Sequence, residues 1–181
     1  MNADDVDPGP PRAIFDAGLA GRYDRGRQLR AADVDAWMAA ARPYLPGADG
    51  LVLDLGAGTG RFTRALADAA DAAVVACEPA AAMRAVCRCR PLVGGAAEAL
   101  PFRASVFDAI WASQMVHHVT DLAAFTAGVR RVLKPGGHLL LRGGFGRPEE
   151  LPYYRYFRRP GRTGRRWRRC SPRSTCRASR V

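Results

Sequence analysis

Leu51-Val52-Leu53-Asp54-Leu55-Gly56-Ala57-Gly58-Thr59-Gly60 is the stretch on which the fold turns. Five mainly apolar residues run into three glycines at alternate positions. Arg61-Phe62-Thr63-Arg64-Ala65-Leu66-Ala67 follows at once with helical spacing. A strand that is apolar at nearly every position is buried on both faces, as in a parallel sheet. Glycine lets the backbone turn with positive φ and lets a ligand approach the main chain unhindered. The helix that follows offers unpaired amides to whatever fills the crevice. Strand, glycine turn and helix together predict the first βα unit of a doubly wound α/β sheet.

Spacing separates the ligand classes. A dinucleotide fingerprint, G-x-G-x-x-G, needs glycine at position 61, where this chain has Arg61. That argues against a nicotinamide dehydrogenase. Outward from the turn, Ala72–Cys77 reads as a second buried strand ending on Glu78-Pro79, and Glu78 lies 20 residues beyond Gly58. In a Rossmann-like sheet this sets a carboxylate at the end of the neighbouring strand, where it can accept hydrogen bonds from both ribose hydroxyls. The other reading of Glu78 is a solvated residue opening a helix with proline in its first turn.

The pattern continues in alternating units: a helix over Pro79–Cys89, strands at 91–93, 106–113 and 138–142, and a helix carrying Leu122, Phe125, Val129, Val132 and Leu133. Lys134-Pro135-Gly136-Gly137 reads as that helix's stop and turn. Ahead of the glycine turn, Ile14, Phe15, Leu19 and Tyr23, and then Val34, Trp37, Met38 and Ala41, recur at helical spacing. Two helices within 13–42 are therefore expected over the crevice. Residues 1–12, polar and proline-rich, are expected to be disordered.

Several segments resemble class I S-adenosylmethionine-dependent methyltransferases of the ubiquinone/menaquinone-biosynthesis type, the methyltransferase type 11 domain. Residues 52–60 resemble that family's V-L-D-L-G-x-G-x-G motif. Gly94-Gly95-Ala96-Ala97-Glu98-Ala99-Leu100-Pro101-Phe102 is similar to its G-D-A-E-x-L-P-F loop, with Ala96 where the family has Asp. Phe107-Asp108-Ala109-Ile110, with His117-His118 beyond it, and the string RRVLKPGGHLLL resemble two further marks. The resemblance covers residues 51–142. It implies a Rossmann-like, mostly parallel, three-layer α/β/α domain over 13–157, with S-adenosyl-L-methionine as cofactor and a small-molecule methyl acceptor. No metal is implied. By resemblance the cofactor-binding set is Tyr23, Asp54, Gly56, Ala57, Gly58, Thr59, Gly60, Glu78, Pro79, Met83, Ala97, Glu98 and Ser113. Within it the glycines pass the methionine part and Asp54 favours its ammonium. Met83, Ala97 and Glu98 flank adenine, and Tyr23 covers the site. Losing the side-chain acceptor at Ala96 costs adenine binding on the order of 1 kcal/mol. His117 and His118 are candidate proton acceptors, since imidazole titrates near neutrality; capping or packing after a strand is their other reading.

Totals bound the rest. A chain of 181 residues suffices for one ordinary domain with a full core. No run approaches 18 uncharged apolar residues, and the acidic, proline-rich start is unlike a secretory signal. Cys77, Cys87, Cys89, Cys170 and Cys176 lack C-x-x-C spacing, so reduced thiols in the cytoplasm are expected rather than zinc. The net charge of +11 belongs to the tail. Residues 158–181 hold ten arginines and no acidic residue; setting these aside leaves 18 basic side chains against 17 acidic. The body thus gives no charge argument for binding nucleic acid.

Family members continue past the fifth strand with another helix and antiparallel strands. Here the text becomes arginine-rich after residue 157, with no hydrophobic period. The outer strands are therefore expected to be missing, the tail to be disordered, the fifth strand to be a bare edge, and the acceptor pocket to lack part of its wall. One reading of the tail is a basic arm for nucleic acid or another polyanion. The favoured one is an out-of-frame ending, since shifted GC-rich codons give this Arg, Pro, Gly, Ser and Cys composition. A non-catalytic S-adenosylmethionine-binding remnant is the accompanying alternative to an active enzyme.

Overall fold

The computed structural model describes residues 17–26, 29–143 and 177–180. Strands β1 (Leu51–Leu55), β2 (Ala73–Glu78), β3 (Leu92–Gly94), β4 (Phe107–Ser113), β5 (Leu133–Arg142) and β6 (Arg177–Arg180) form one sheet in the order β3-β2-β1-β4-β5-β6. The first five strands are parallel to their neighbours and β6 is antiparallel to β5. The strand order reverses between β1 and β4, which opens a crevice at their carboxyl ends.

Side chains alternate along the central strands, so each face of the sheet gets its own core. Leu53, Leu55, Ile110 and Ala112 pack on one side with Phe125, Val129 and Val132 of α5 (Leu122–Val132). Val52, Ala109 and Trp111 pack on the other with Leu66 and Ala70 of α3 (Thr63–Ala70) and with Met38 and Ala41 of α2 (Ala31–Ala41). Asp121 caps α5, its Oδ1 accepting the amides of Ala123 and Ala124 at 2.9 Å each. The predicted Rossmann-like core stands. Two helices do precede β1: α1 (Ala17–Gly26) packs against α4 (Ala81–Val86), and α2 packs against α3. Ile14, Phe15 and the other residues of 1–16 lie outside the described residues, as does 144–176, so the expected disorder of 1–12 and most of the tail are not addressed.

Three local expectations differ. The helix expected over Pro79–Cys89 stops at Val86, because Cys87 turns extended at φ −71°, ψ 124° after donating its N–H to Met83. Lys134–Gly137 is a bulge within β5 rather than a turn before it. Leu133 pairs with Phe107 and His138 with Ala109, so four residues bow out opposite Asp108 alone, with Gly136 at φ +78°. The fifth strand is not bare either, since Arg177–Arg180 pairs antiparallel with Leu141–His138. Ladder pairing uses main-chain groups, so a segment without hydrophobic period can still close an edge. Among the described residues no helix is long and apolar enough to cross a membrane.

Candidate functional site

β1 delivers the glycine turn to the crevice and β2 supplies its neighbour. The amides of Gly56 and Ala57 donate to the Cys77 carbonyl at 2.8 and 3.1 Å, tying the start of the turn to β2. Gly60 N–H closes it on the Ala57 carbonyl at 2.9 Å. Gly56, Gly58 and Gly60 have φ of +70°, +59° and +85°. Gly56 and Gly60 have no room besides: added Cβ atoms would fall 2.8 Å from Met115 Cβ and 2.5 Å from Cys89 Sγ.

Glu78 ends β2 with 6% of its surface exposed. Its Oε2 accepts the Gly58 amide at 2.8 Å, and its Oε1 accepts the Ala80 amide, just past Pro79, at 2.9 Å. Each oxygen thus has one backbone donor and room for another. Arg84 Nη1 donates to the main-chain carbonyl of Glu78 at 2.9 Å, not to its carboxylate. Among the described residues no basic side chain is hydrogen-bonded to that carboxylate, so its charge faces the turn. Met83 is buried, and its Cε lies 3.6 Å from where a Cβ of Gly58 would be.

Asp54 lies below the turn, on the α3 face of β1, and only 2% of it is exposed. Its Oδ2 accepts the Thr63 hydroxyl at 2.6 Å. Burial pushes its carboxyl up to about 7 and nearby Glu78 adds to the rise, against the Thr63 bond that lowers it. Any influence on a ligand therefore passes through Thr63 and the backbone. Thr59 faces outward, its Oγ1 donating to Asp24 Oδ1 at 2.8 Å; Arg61 Nη2 reaches the same oxygen at 2.8 Å. These bonds hold α1, which also carries the half-buried Tyr23, beside the turn.

Ala97 is buried in the loop after β3, and Glu98 Oε1 accepts the Thr120 amide and hydroxyl at 3.0 and 3.2 Å. The Glu98 carboxylate thus ties this loop to the one before α5. Ser113 ends β4 and accepts Arg142 Nη1 at 3.0 Å. The Arg142 guanidinium stacks over Trp37 and Phe62, 4.9 and 5.2 Å from their ring centres. His117 and His118 occupy a 3-10 turn after β4, with ring centres 3.9 Å apart.

The structure thus gathers Gly56–Gly60, Glu78, Pro79 and Met83 at one place, seats Asp54 beneath them, and assigns Glu98 and Ser113 to loop-holding bonds. Asp24, Thr63 and Arg142 are additions that no motif marks. Asp24 meets Arg61 from 37 residues away, a pairing without a local signature. The donor set suits an adenosyl cofactor: a carboxylate with two open acceptor positions for a diol, bare backbone above Gly58, and the thioether of Met83 as an apolar wall.

Residues 53–141 match the family model described as "Methyltransferase domain". Demethylmenaquinone methyltransferase of Mycobacterium marinum is 37% identical over 145 residues, which is 76% of this chain and 60% of that protein. The chain spans about three fifths of the length of such curated relatives. An S-adenosyl-L-methionine-dependent methyltransferase from Methanococcus maripaludis superposes with a TM-score of 0.64 at 22% identity, covering 82% of this chain and 73% of that one. A Haloferax volcanii methyltransferase, solved in complex with the Trm112 methyltransferase activator, gives a TM-score of 0.60 at 26% identity over 73% of this chain and 61% of that chain.

Proposed function

We propose, from the premise that this chain belongs to the S-adenosylmethionine-dependent methyltransferases of the type 11 domain family, that it carries out methyl transfer from that cofactor to a small-molecule acceptor. The observation that carries the reading is the Glu78 carboxylate, held by the Gly58 and Ala80 amides beside the glycine turn, with one donor on each oxygen and acceptor capacity left on both. When bound, the cofactor supplies a methyl group on a sulfonium, an already activated donor. Glu78 accepts hydrogen bonds from the ribose hydroxyls. The Gly56–Gly60 backbone orients the methionine part, with Thr59 held outward by Asp24 so that the turn keeps its shape. Met83 and Ala97 wall the adenine ring. Asp54 braces the turn from below through Thr63. Tyr23, on α1, excludes water from above.

What the protein adds is alignment and a dry crevice, because the donor needs no further activation. His117 and His118, in the turn after β4, are the candidates to take a proton from the acceptor, since imidazole titrates near neutrality. The finer reading is a quinone-related acceptor, since several relatives are named demethylmenaquinone methyltransferase.

Calorimetry with S-adenosylmethionine and its demethylated product is the first test, and both are expected to bind. Turnover with demethylmenaquinone, followed as labelled methyl carried into the organic phase on the quinone, is the second. Absence of heat with either cofactor form refutes the function. Heat without turnover on any quinone moves the reading to a cofactor-binding protein.

A further inference from the structure

Two thiols that the proposed chemistry does not use lie under the cofactor turn. Cys87 and Cys89 sit two residues apart on the extended segment after α4, so their side chains return to one side. A Cβ placed on Gly60 would lie 2.8 Å from Cys87 Sγ and 2.5 Å from Cys89 Sγ. Both sulfurs therefore crowd the same point beside the third glycine. The Cys89 thiol donates to the Gly60 carbonyl at 3.3 Å. Cys87 is buried whereas Cys89 is partly exposed. Arg90 folds back over the pair, its Nη1 donating to the carbonyls of Cys87 and Cys89 at 3.2 and 2.6 Å. Burial pushes the Cys87 thiol above its ordinary value, with the Arg90 charge working against that rise. Cys77, by contrast, is buried in the core and pushed up to about 12, which leaves it inert.

We propose that Cys87 and Cys89 are a thiol modification site that a hydroperoxide closes to an intramolecular disulfide, loosening the turn that holds the cofactor. The coupling to binding rests on the function proposed above; the disulfide does not. Cys89, the accessible thiol, attacks the peroxide: an S–O bond forms, the O–O bond breaks, and water or an alcohol leaves. Cys87 then attacks that sulfur: the S–S bond forms, the S–O bond breaks, and a second water leaves. Two electrons pass from the sulfurs to the peroxide, and the two thiol protons end in the leaving groups. Closure removes the S–H that Cys89 donates to Gly60. It also draws the sulfurs to about 2.05 Å from each other, away from the positions that now brace the turn.

The test uses the full chain with Cys170→Ser and Cys176→Ser, so that Cys77, Cys87 and Cys89 alone remain. Stoichiometric hydrogen peroxide is expected to lower the intact mass by about two units. Trypsin cutting after Arg88 should then leave the two cysteine peptides joined until a thiol reductant is added. Calorimetry with S-adenosylmethionine should show binding about tenfold weaker in the oxidised chain and restored on reduction. Cys77→Ser should keep the response, and Cys89→Ser should abolish it. A chain that never loses the two mass units overturns the proposal while leaving the cofactor reading intact. A disulfide that forms without changing affinity overturns the coupling. If the reduced chain gives no heat with S-adenosylmethionine, the function fails, and the coupling with it, whether or not the disulfide forms.

Discussion

At the amino ends of the strands, Asp108 of β4 accepts the Leu51 amide of β1 at 2.9 Å; at the carboxyl ends, Glu78 of β2 accepts the Gly58 amide beyond β1 at 2.8 Å. In both places a carboxylate stitches neighbouring segments through a backbone N–H. They differ in what else reaches the carboxylate. Lys134 Nζ bonds both oxygens of Asp108, at 2.9 and 2.8 Å. Burial alone would push that carboxyl up, but the Lys134 and Leu51 hydrogen bonds win and hold it below the ordinary value. Its charge is answered by a lysine, and three hydrogen bonds reach its two oxygens. Among the described residues Glu78 has backbone donors alone, one to each oxygen. The same kind of bond is therefore part of an ion pair at one end of the sheet and stands without one, among the described residues, at the other. Among the described residues, what separates the two carboxylates is the lysine that reaches Asp108 and has no counterpart at Glu78.

Glu78→Ala should bring the largest change. Removing the proposed ribose acceptor is expected to cost about 2–3 kcal/mol, on the order of 30- to 150-fold in S-adenosylmethionine affinity by calorimetry. An unchanged dissociation constant would mean the open carboxylate holds no ligand, and the contrast with Asp108 would collapse. Gly60→Ala comes next, because it meets both a positive φ and two sulfurs. A loss of about 1–3 kcal/mol in urea unfolding is expected. Gly47→Ala, where nothing lies within 4 Å, is the matched control and should be nearly neutral.

Asp108→Ala should cost about 1 kcal/mol of stability, since the ion pair is partly exposed and one backbone donor loses its partner. Its cofactor affinity should match that of the unsubstituted chain. A drop in affinity would show that the two ends of the sheet are not separate in function.

Asp54→Asn should produce the mildest effect, a change of slope rather than a loss. A carboxyl whose folded pKa of about 7 stands above its unfolded value binds more protons when folded. Its contribution therefore declines as pH rises from roughly 4 to about 7. Melting temperatures across pH 5–8 should fall less steeply for Asp54→Asn than for the unsubstituted chain. Parallel curves would mean that Asp54 is ionised throughout.

The central sheet was legible because each buried strand has to be apolar at almost every position and each crossover has to carry a helical stripe; Leu51–Leu55 and Phe107–Ser113 obey this with local information alone. Glu78 was legible because its distance from the turn is set by one βα unit. Asp24, Thr63, Arg142 and the placement of Cys87 and Cys89 were not. Their partners lie 37 (Asp24), 9 (Thr63), 29 (Arg142) and 29 (Cys89) residues away, and nothing in local spacing encodes such pairings. The bulge at Lys134–Gly137 was hidden for a similar reason. The residues read as a turn, and the ladder beside β4 absorbs them into a strand.

Order and identity of strands, the glycine turn and the carboxylate facing it were thus carried by residue type and separation along the chain, which suffice wherever the controlling contacts are local or repeated. Which acceptor positions stay open, which carboxylate meets a cation, where the thiols lie and what covers the outer edge depended on segments distant in sequence meeting in space. Those contacts exist only once the sheet has assembled, so only the folded molecule could decide them.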